Sequence, residues 1–257
     1  MVTLNEHTIH FPKVEAIEQG EEYVFVEQDG NREKVRFHDY DKIYEVPGLY
    51  EYLFYDRYKC NSPEVVCNLL KNHLRDRGSD ESGFKVLDVG AGNGMVGEQL
   101  SIIGADTIVG IDIIEQAKAA VLRDRPDVYK EYHIADLTDI PSKVEDSLSK
   151  FSFNCMTVVA ALGFGDIPPQ AFAGGFDMVA PQGWVAFNIK EDFVADDDRS
   201  GFSRLIGRLE SNGVLDLQEK HRYRHRFCQD GDPLYYYAVI GQKCGEIEEA
   251  MLTGLDA

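Results

Sequence analysis

The sequence predicts an α/β fold: a seven-stranded, mostly parallel sheet with an antiparallel final strand, covered by helices and preceded by an N-terminal hairpin and helical cap. Two observations carry this. From Lys85 onward, apolar runs of strand length alternate strictly with helix-length stretches. Such alternation means right-handed crossovers and a parallel sheet covered on both faces. The last two runs break the rhythm: Leu215 to Phe227 and Tyr235 to Ile240 are joined only by a short polar link through Asp230-Gly231-Asp232-Pro233. A link that short joins antiparallel neighbours, and it puts an antiparallel element at one edge of the sheet.

Taken in order, Tyr23 to Phe37 reads as a β-hairpin, with Val24, Val26 and Val35, Phe37 alternating around Asp29-Gly30-Asn31. Tyr40 to Tyr58 is unusually aromatic; Pro47 and Gly48 interrupt it, and a helix should start just after them. Ser62-Pro63-Glu64 opens another helix, with Ser as N-cap, Pro in the first turn, and an apolar face of Val65, Val66, Leu69 and Leu70. Polar residues from Arg77 to Gly83 end it and read as a junction. Residues 1–75 are therefore assigned to the hairpin and cap, and residues 76–257 to the sheet domain. Within that domain, strands are expected over Lys85 to Val89, Thr107 to Asp112, Tyr132 to Ala135, Cys155 to Leu162 and Trp184 to Ile189. Helices are expected over Met95 to Ile103, Ile114 to Leu122, Pro141 to Leu148 and Pro169 to Val179, and over Phe202 to Leu209 before the final pair.

Composition limits the partners. The 257 residues hold 26 Lys+Arg against 45 Asp+Glu, a net charge of −19. Phosphate backbones and anionic membranes both demand clustered cations, so the balance argues against nucleic acid and membrane surfaces. The one basic cluster, His221 to Phe227, alternates on a strand, with Lys220, Arg222, Arg224 and Arg226 on one side. It reads as a solvated face protecting a sheet edge, or else as a seat for an anionic substrate or an acidic partner surface. Five dispersed cysteines without a CxxC pair suggest reduced thiols and no zinc site. Met1 to Glu6 does not open a leader, and a cytoplasmic protein is the expectation. Self-association as a homodimer stays open.

The informative stretch is Val86-Leu87-Asp88-Val89-Gly90-Ala91-Gly92-Asn93-Gly94, between the first parallel strand and its helix. Three glycines there let the chain turn tightly and approach a ligand closely. The spacing is not the dinucleotide G-x-G-x-x-G. Asp88, two residues before Gly90, would repel a pyrophosphate but favour a cationic ligand. A nicotinamide oxidoreductase is disfavoured on both counts.

This stretch resembles the first motif of class I S-adenosylmethionine-dependent methyltransferases, and the resemblance runs from about Lys85 to Gly241, closest to the small-molecule enzymes of types 11 and 25. Asp112 ends the second strand where that family's acidic residue binds the ribose hydroxyls. Asp136 follows the third strand, where the family's acidic residue lies near the adenine amino group. Ala180-Pro181-Gln182-Gly183 resembles the turn before the fifth strand, with Gln182 departing from the pattern. The resemblance implies a Rossmann-like sheet and methyl transfer from S-adenosylmethionine, leaving S-adenosylhomocysteine. It implies cofactor contacts from Asp88, Gly90, Ala91, Gly92, Asn93, Gly94, Asp112, Ile113, Asp136, Leu137 and Ala160. Plainer roles stay open: Asp88 as a structural hydrogen-bonder, Asp112 as a helix cap, Asp136 as a turn residue.

The loop after the fourth strand, Ala160 to Pro169, should line the site, with Phe164 as an acceptor wall or a packing residue. It lacks the N/D-P-P-Y/F motif of enzymes that methylate adenine bases, which leaves a small-molecule acceptor. In-line displacement from a sulfonium depends on positioning and needs no fixed base. If a base helps, Asp166, His133 and Tyr55 are candidates by location. The aromatic segment should fold over the cofactor mouth as a lid, with Arg57 and Tyr58 near the methionine carboxylate. The alternative function is a catalytically silent cofactor-binding or interaction module.

Overall fold

The computed structural model describes residues 1–76, 83–162, 166–194, 198 and 200–255. Four antiparallel strands come first: β1 (Val2–Leu4), β2 (His7–His10), β3 (Tyr23–Gln28) and β4 (Asn31–Arg36), in the order β1-β2-β3-β4. The expected hairpin is β3–β4, with Val24 opposite Val35. Asp29 (φ 51°) and Gly30 (φ 79°) turn it in the left-handed pair that matches strand twist. The sequence hid β1 and β2 because three and four residues are too few to show a period.

This small sheet packs on α1 (Tyr40–Glu45), α2 (Leu49–Glu51) and a π-helical turn over Tyr52–Arg57. Ile9, Val24, Val35 and Phe37 bury against Ile43, Leu49, Leu53 and Phe54, a core of their own. One buried ion pair ties it to the rest. Glu22 is fully buried, Arg226 is 3% exposed, and their side chains are hydrogen-bonded. Arg226 therefore does not share the solvated face expected for this strand. A register irregularity between Arg224 and Arg226 breaks the alternation and turns the side chain inward.

Helix α3 (Ser62–Asp76) lies on the large sheet, burying Val66, Cys67 and Leu70 with Val86, Ile108 and Trp184. The expected Ser62 cap is not formed. Asn61 supplies the carbonyl that accepts the Val65 N–H, and the Ser62 hydroxyl bonds Tyr223 and His225 instead. The expected junction over residues 77–82 lies outside the described residues.

The large sheet contains β5 (Lys85–Val89), β6 (Thr107–Asp112), β7 (Glu131–Ile134), β8 (Phe153–Val158), β9 (Val179–Lys190), β10 (Leu215–Phe227) and β11 (Pro233–Lys243), in the order β10-β11-β9-β8-β5-β6-β7. Strands β5 to β9 run parallel, and β11 is antiparallel to both of its neighbours. The antiparallel strand therefore sits one place in from the edge, and β10 takes the edge. Lys220, Arg222 and Arg224 lie over the rings of Tyr237, Tyr235 and Phe227.

Helices α4 (Met95–Ile102), α5 (Glu115–Asp124), α6 (Ser142–Leu148), α7 (Pro169–Asp177) and α8 (Phe202–Ser211) fill the connections, and a short α9 (Glu249–Leu252) follows β11. Residues of α3 and α4 bury in the core on one face of the sheet, and those of α6, α7 and α8 in the core on the other. Several boundaries shift by one to three residues, and two shift further. β8 stops at Val158 because Ala160 turns left-handed (φ 58°). β9 starts five residues early because the turn at Ala180 to Gly183 is a bulge inside it, with Gln182 at φ 64°.

Candidate functional site

At the carboxyl ends of the parallel strands, where such sheets bind ligands, lies a cavity of about 320 Å³. The sheet supplies Val89 to Asn93, Ile111 to Ile114, Ala135 to Thr138 and Val159 to Ala161. The N-terminal segment supplies Tyr40, Tyr44, Tyr50 and Tyr55. Among the expected residues, Gly90, Ala91, Gly92, Asn93, Asp112, Ile113, Asp136, Leu137, Ala160, Asp166 and Tyr55 line it.

Asp88, Gly94 and His133 do not. A Cβ at Gly94 would meet Arg125 and Tyr129 rather than the cavity. His133 lies 2.9 Å from Glu131 instead. Asp88 lies beneath the turn, 1% exposed, accepting bonds from the Tyr129 hydroxyl and the Thr157 hydroxyl at 2.7 Å each. Burial pushes its carboxyl up to about 7, against the lowering effect of those two donors. It underpins the turn rather than facing the cavity. Arg57 and Tyr58 do not line the cavity either: Arg57 lies over Phe11, and Tyr58 is buried in the N-terminal core. Phe164 lies outside the described residues.

The Asp88 proton has a measurable consequence. The folded protein holds it up to about pH 7, whereas the unfolded chain releases it near 3.8. Between these values the native state binds more protons, so stability falls as pH rises. Asp88→Asn keeps an acceptor for Tyr129 and removes the charge. Melting temperatures of the variant and the wild type should diverge in the variant's favour from pH 5 to pH 8. Parallel curves would show that the carboxylate is better solvated than this site allows.

The two inner glycines meet protein neighbours. A Cβ at Gly92 would lie 2.6 Å from the Tyr44 hydroxyl, and one at Gly90 would lie 2.8 Å from the Ala161 Cβ. The turn is thus clamped between the loop after β8 and α1, whose Tyr44 also buries against Ala117, Ala120 and Val121 of α5. Asn93 and Arg125 both donate to Glu51 Oε1, at 2.7 and 2.8 Å, fixing α2 to the same turn. Sequence reasoning missed these contacts because they cross elements far apart in the chain.

Asp112 sits at the end of β6. Its Oδ2 accepts the Gly92 N–H at 2.9 Å and its Oδ1 the Ile114 N–H at 3.0 Å, and each oxygen of this cavity-lining carboxylate keeps a further lone pair. Burial raises its pKa, partly offset by those backbone donors. Asp136 Oδ1 accepts both the N–H and the hydroxyl of Thr138, an Asx turn on the cavity wall. Ile113, 61% exposed, stands beside them as an apolar flank. Asp166 Oδ2 lies 3.6 Å from His38 Nδ1. Burial holds the Tyr55 hydroxyl far above its usual pKa, so it donates at neutral pH and is not a base.

No Lys or Arg is among the described residues that line the cavity, and three carboxylates are. This donor set suits hydroxyls, amino groups and a cation; it is wrong for a pyrophosphate. Flat apolar flanks beside it suit a planar base. S-adenosylmethionine, with two ribose hydroxyls, an adenine amino group and a sulfonium, fits these residues. Among the described residues, no cluster of three or more His, Cys, Asp or Glu side chains could hold a metal ion, and no helix is long and apolar enough to cross a membrane.

Comparison with known proteins agrees. A family described as a methyltransferase domain matches residues 87–187. The ubiquinone biosynthesis O-methyltransferase of Thiobacillus denitrificans is 30% identical over 122 residues, covering 47% of this chain and 50% of that protein. The chain spans about half the length of the curated relatives it matches. In fold, it resembles a Pyrococcus horikoshii protein provisionally named an RNA methyltransferase, with a TM-score of 0.53 at 12% identity over 75% of this chain and 87% of that one. It also resembles an S-adenosylmethionine-dependent methyltransferase from Anabaena variabilis, with a TM-score of 0.51 at 11% identity over 79% of this chain and 93% of that one. At these identities the likeness is one of fold.

Proposed function

We infer that the chain is a class I S-adenosylmethionine-dependent methyltransferase, and that its acceptor is a small molecule. The observation that carries this is the cavity itself: a glycine turn and carboxylates on successive strand ends, no Lys or Arg among the described lining residues, and tyrosines from the N-terminal segment on its wall. When bound, S-adenosylmethionine supplies a methyl group on a sulfonium, open to in-line displacement.

The chain's own residues bind, orient and exclude water. Asp112 accepts from the ribose hydroxyls while its backbone bonds keep the carboxylate fixed. Asp136 accepts from the adenine amino group. Ile113 and Leu137 flank the base. Tyr40, Tyr44, Tyr50 and Tyr55 cover the mouth, so that the reacting atoms meet away from bulk water. Asp166, beside His38, takes the proton if the acceptor is a hydroxyl. The matched relatives are named for O-methylation in ubiquinone biosynthesis, which supports an acceptor of metabolite size.

S-adenosylhomocysteine should bind with micromolar affinity and stabilise the protein by about 2.7 kcal/mol at 100-fold excess over its dissociation constant. Calorimetric titration and melting curves read this directly. A flat response at millimolar ligand, in folded protein, counts against the assignment. Mass-spectrometric detection of a methylated product from metabolite extracts then separates turnover from binding alone.

A further inference from the structure

A second chamber of about 30 Å³ adjoins the main cavity; Tyr40, Tyr50 and Ala160 line both. Its inner walls include Phe37, Phe54, His225 and Tyr236. That volume holds one or two water-sized groups. Only the tip of a ligand lying in the main cavity can enter it.

The hydrogen-bond chain behind this chamber fixes the polarity of its end. Asn188 Oδ1 accepts the N–H of Ala160, which sets the orientation of the amide. Asn188 Nδ2 then donates to the Tyr223 hydroxyl oxygen at 2.7 Å. The proton of Tyr223 has one acceptor left, the Ser62 Oγ at 2.6 Å. The Ser62 proton in turn goes to His225 Nδ1, also at 2.6 Å. Cys60 Sγ, 3.8 Å from the same nitrogen, is the weaker competitor for the Ser62 proton. The imidazole is 6% exposed, and burial beside Arg226 and Arg224 holds its pKa well below the usual value, so the ring is neutral. A neutral ring that accepts at Nδ1 carries its proton on Nε2. No protein atom among the described residues bonds that Nε2.

We propose that this chamber is the acceptor-recognition subsite, and that His225 Nε2–H donates there to a carbonyl or hydroxyl oxygen of a planar, uncharged methyl acceptor. The proposal rests on the main cavity being the methyl-donor site. The wall chemistry selects the class. A carboxylate would need a cation, but the guanidinium of Arg226 is committed to Glu22. His38, the other basic group on the wall, faces Asp166. A hydroxyl is admitted as well, its proton meeting the Gln19 Oε1 on the chamber wall, which is buried without a partner among the described residues. A carbonyl oxygen needs one donor and nothing else. The surrounding rings match a flat body. His225 is a binding residue here, and Asn188, Tyr223 and Ser62 position it.

The test uses the full chain labelled with [15N]histidine and saturated with S-adenosylhomocysteine, with His225→Gln to assign the resonance. Two-bond 15N–1H spectra at pH 7 should show the Nε2–H tautomer of His225. Acetophenone should shift its Nε2 signal, whereas ethylbenzene, with the same ring and no acceptor, should not. Ser62→Ala should release the tautomer into a mixture and weaken acetophenone binding about tenfold, the loss of one oriented neutral hydrogen bond. An Nδ1–H tautomer, a charged ring, no response to acetophenone, or a larger response to benzoate would each overturn the proposal. Because S-adenosylhomocysteine binding is measured separately by calorimetry, failure of the donor-site reading is distinguishable from failure of this one.

Discussion

Replacing Glu22 with alanine is expected to lower stability by about 3–5 kcal/mol, because it strands a guanidinium in the interior. Glu22 is fully buried and accepts from Arg226 Nη1 and Nη2 and from the Gln229 N–H. In a protein of this size the melting temperature should fall by roughly 6–20 °C. The pair itself is not the source of stability; leaving half of it is the damage. Glu22→Leu combined with Arg226→Met should therefore recover most of the loss, since apolar replacements of buried pairs are often neutral or better. A drop of less than about 1 kcal/mol in the single variant would mean that water reaches Arg226 in solution, and that the N-terminal sheet is not held as described.

Asp112→Ala is the corresponding test of the cavity. If Asp112 accepts from both ribose hydroxyls, as proposed, its loss should weaken S-adenosylhomocysteine binding by about 2–4 kcal/mol, some 30- to 1000-fold by calorimetry. The structure adds a second cost. Asp112 also accepts the N–H groups of Gly92 and Ile114, so its removal unties the glycine turn. Loss of a helix-end acceptor typically costs about 1 kcal/mol. Asp112→Asn keeps one backbone acceptor and separates the effects: its melting point should stay nearer the wild type while its affinity stays low. Affinity unchanged in both variants would reduce Asp112 to a turn-holding residue and leave the cavity without its ribose contact.

The parallel sheet was legible because β5, β6 and β8 are mainly apolar runs bounded by turns. Burial on both faces imposes that pattern. The place of β11 was not legible, since hairpin connectivity fixes which strands pair but not which of the two lies outermost. In the site, the carboxylates at strand ends could be located because strand ends locate them. Asp88 was placed in the right segment and on the wrong side of it. Strand alternation says that neighbouring side chains oppose each other, but not which face holds the ligand. The reasons for the glycines were also hidden: Gly92 answers to Tyr44, and nothing in the spacing of Gly90-Ala91-Gly92 reveals a hydroxyl from 48 residues earlier. Arg226 was misjudged because one bulge reverses an alternation.

The position of β11 bears on how the molecule is made. β10 precedes β11 in the chain, yet β11 fills the slot between β9 and β10. During synthesis β9 therefore emerges with its outer hydrogen-bonding edge open, and β10 follows with nothing to pair against. Translation at roughly 5–20 residues per second leaves that edge exposed for several seconds. Glu22 waits longer still, since its partner Arg226 lies on β10. The N-terminal sheet thus gains its buried ion pair only once a residue 204 positions further along the chain has been made.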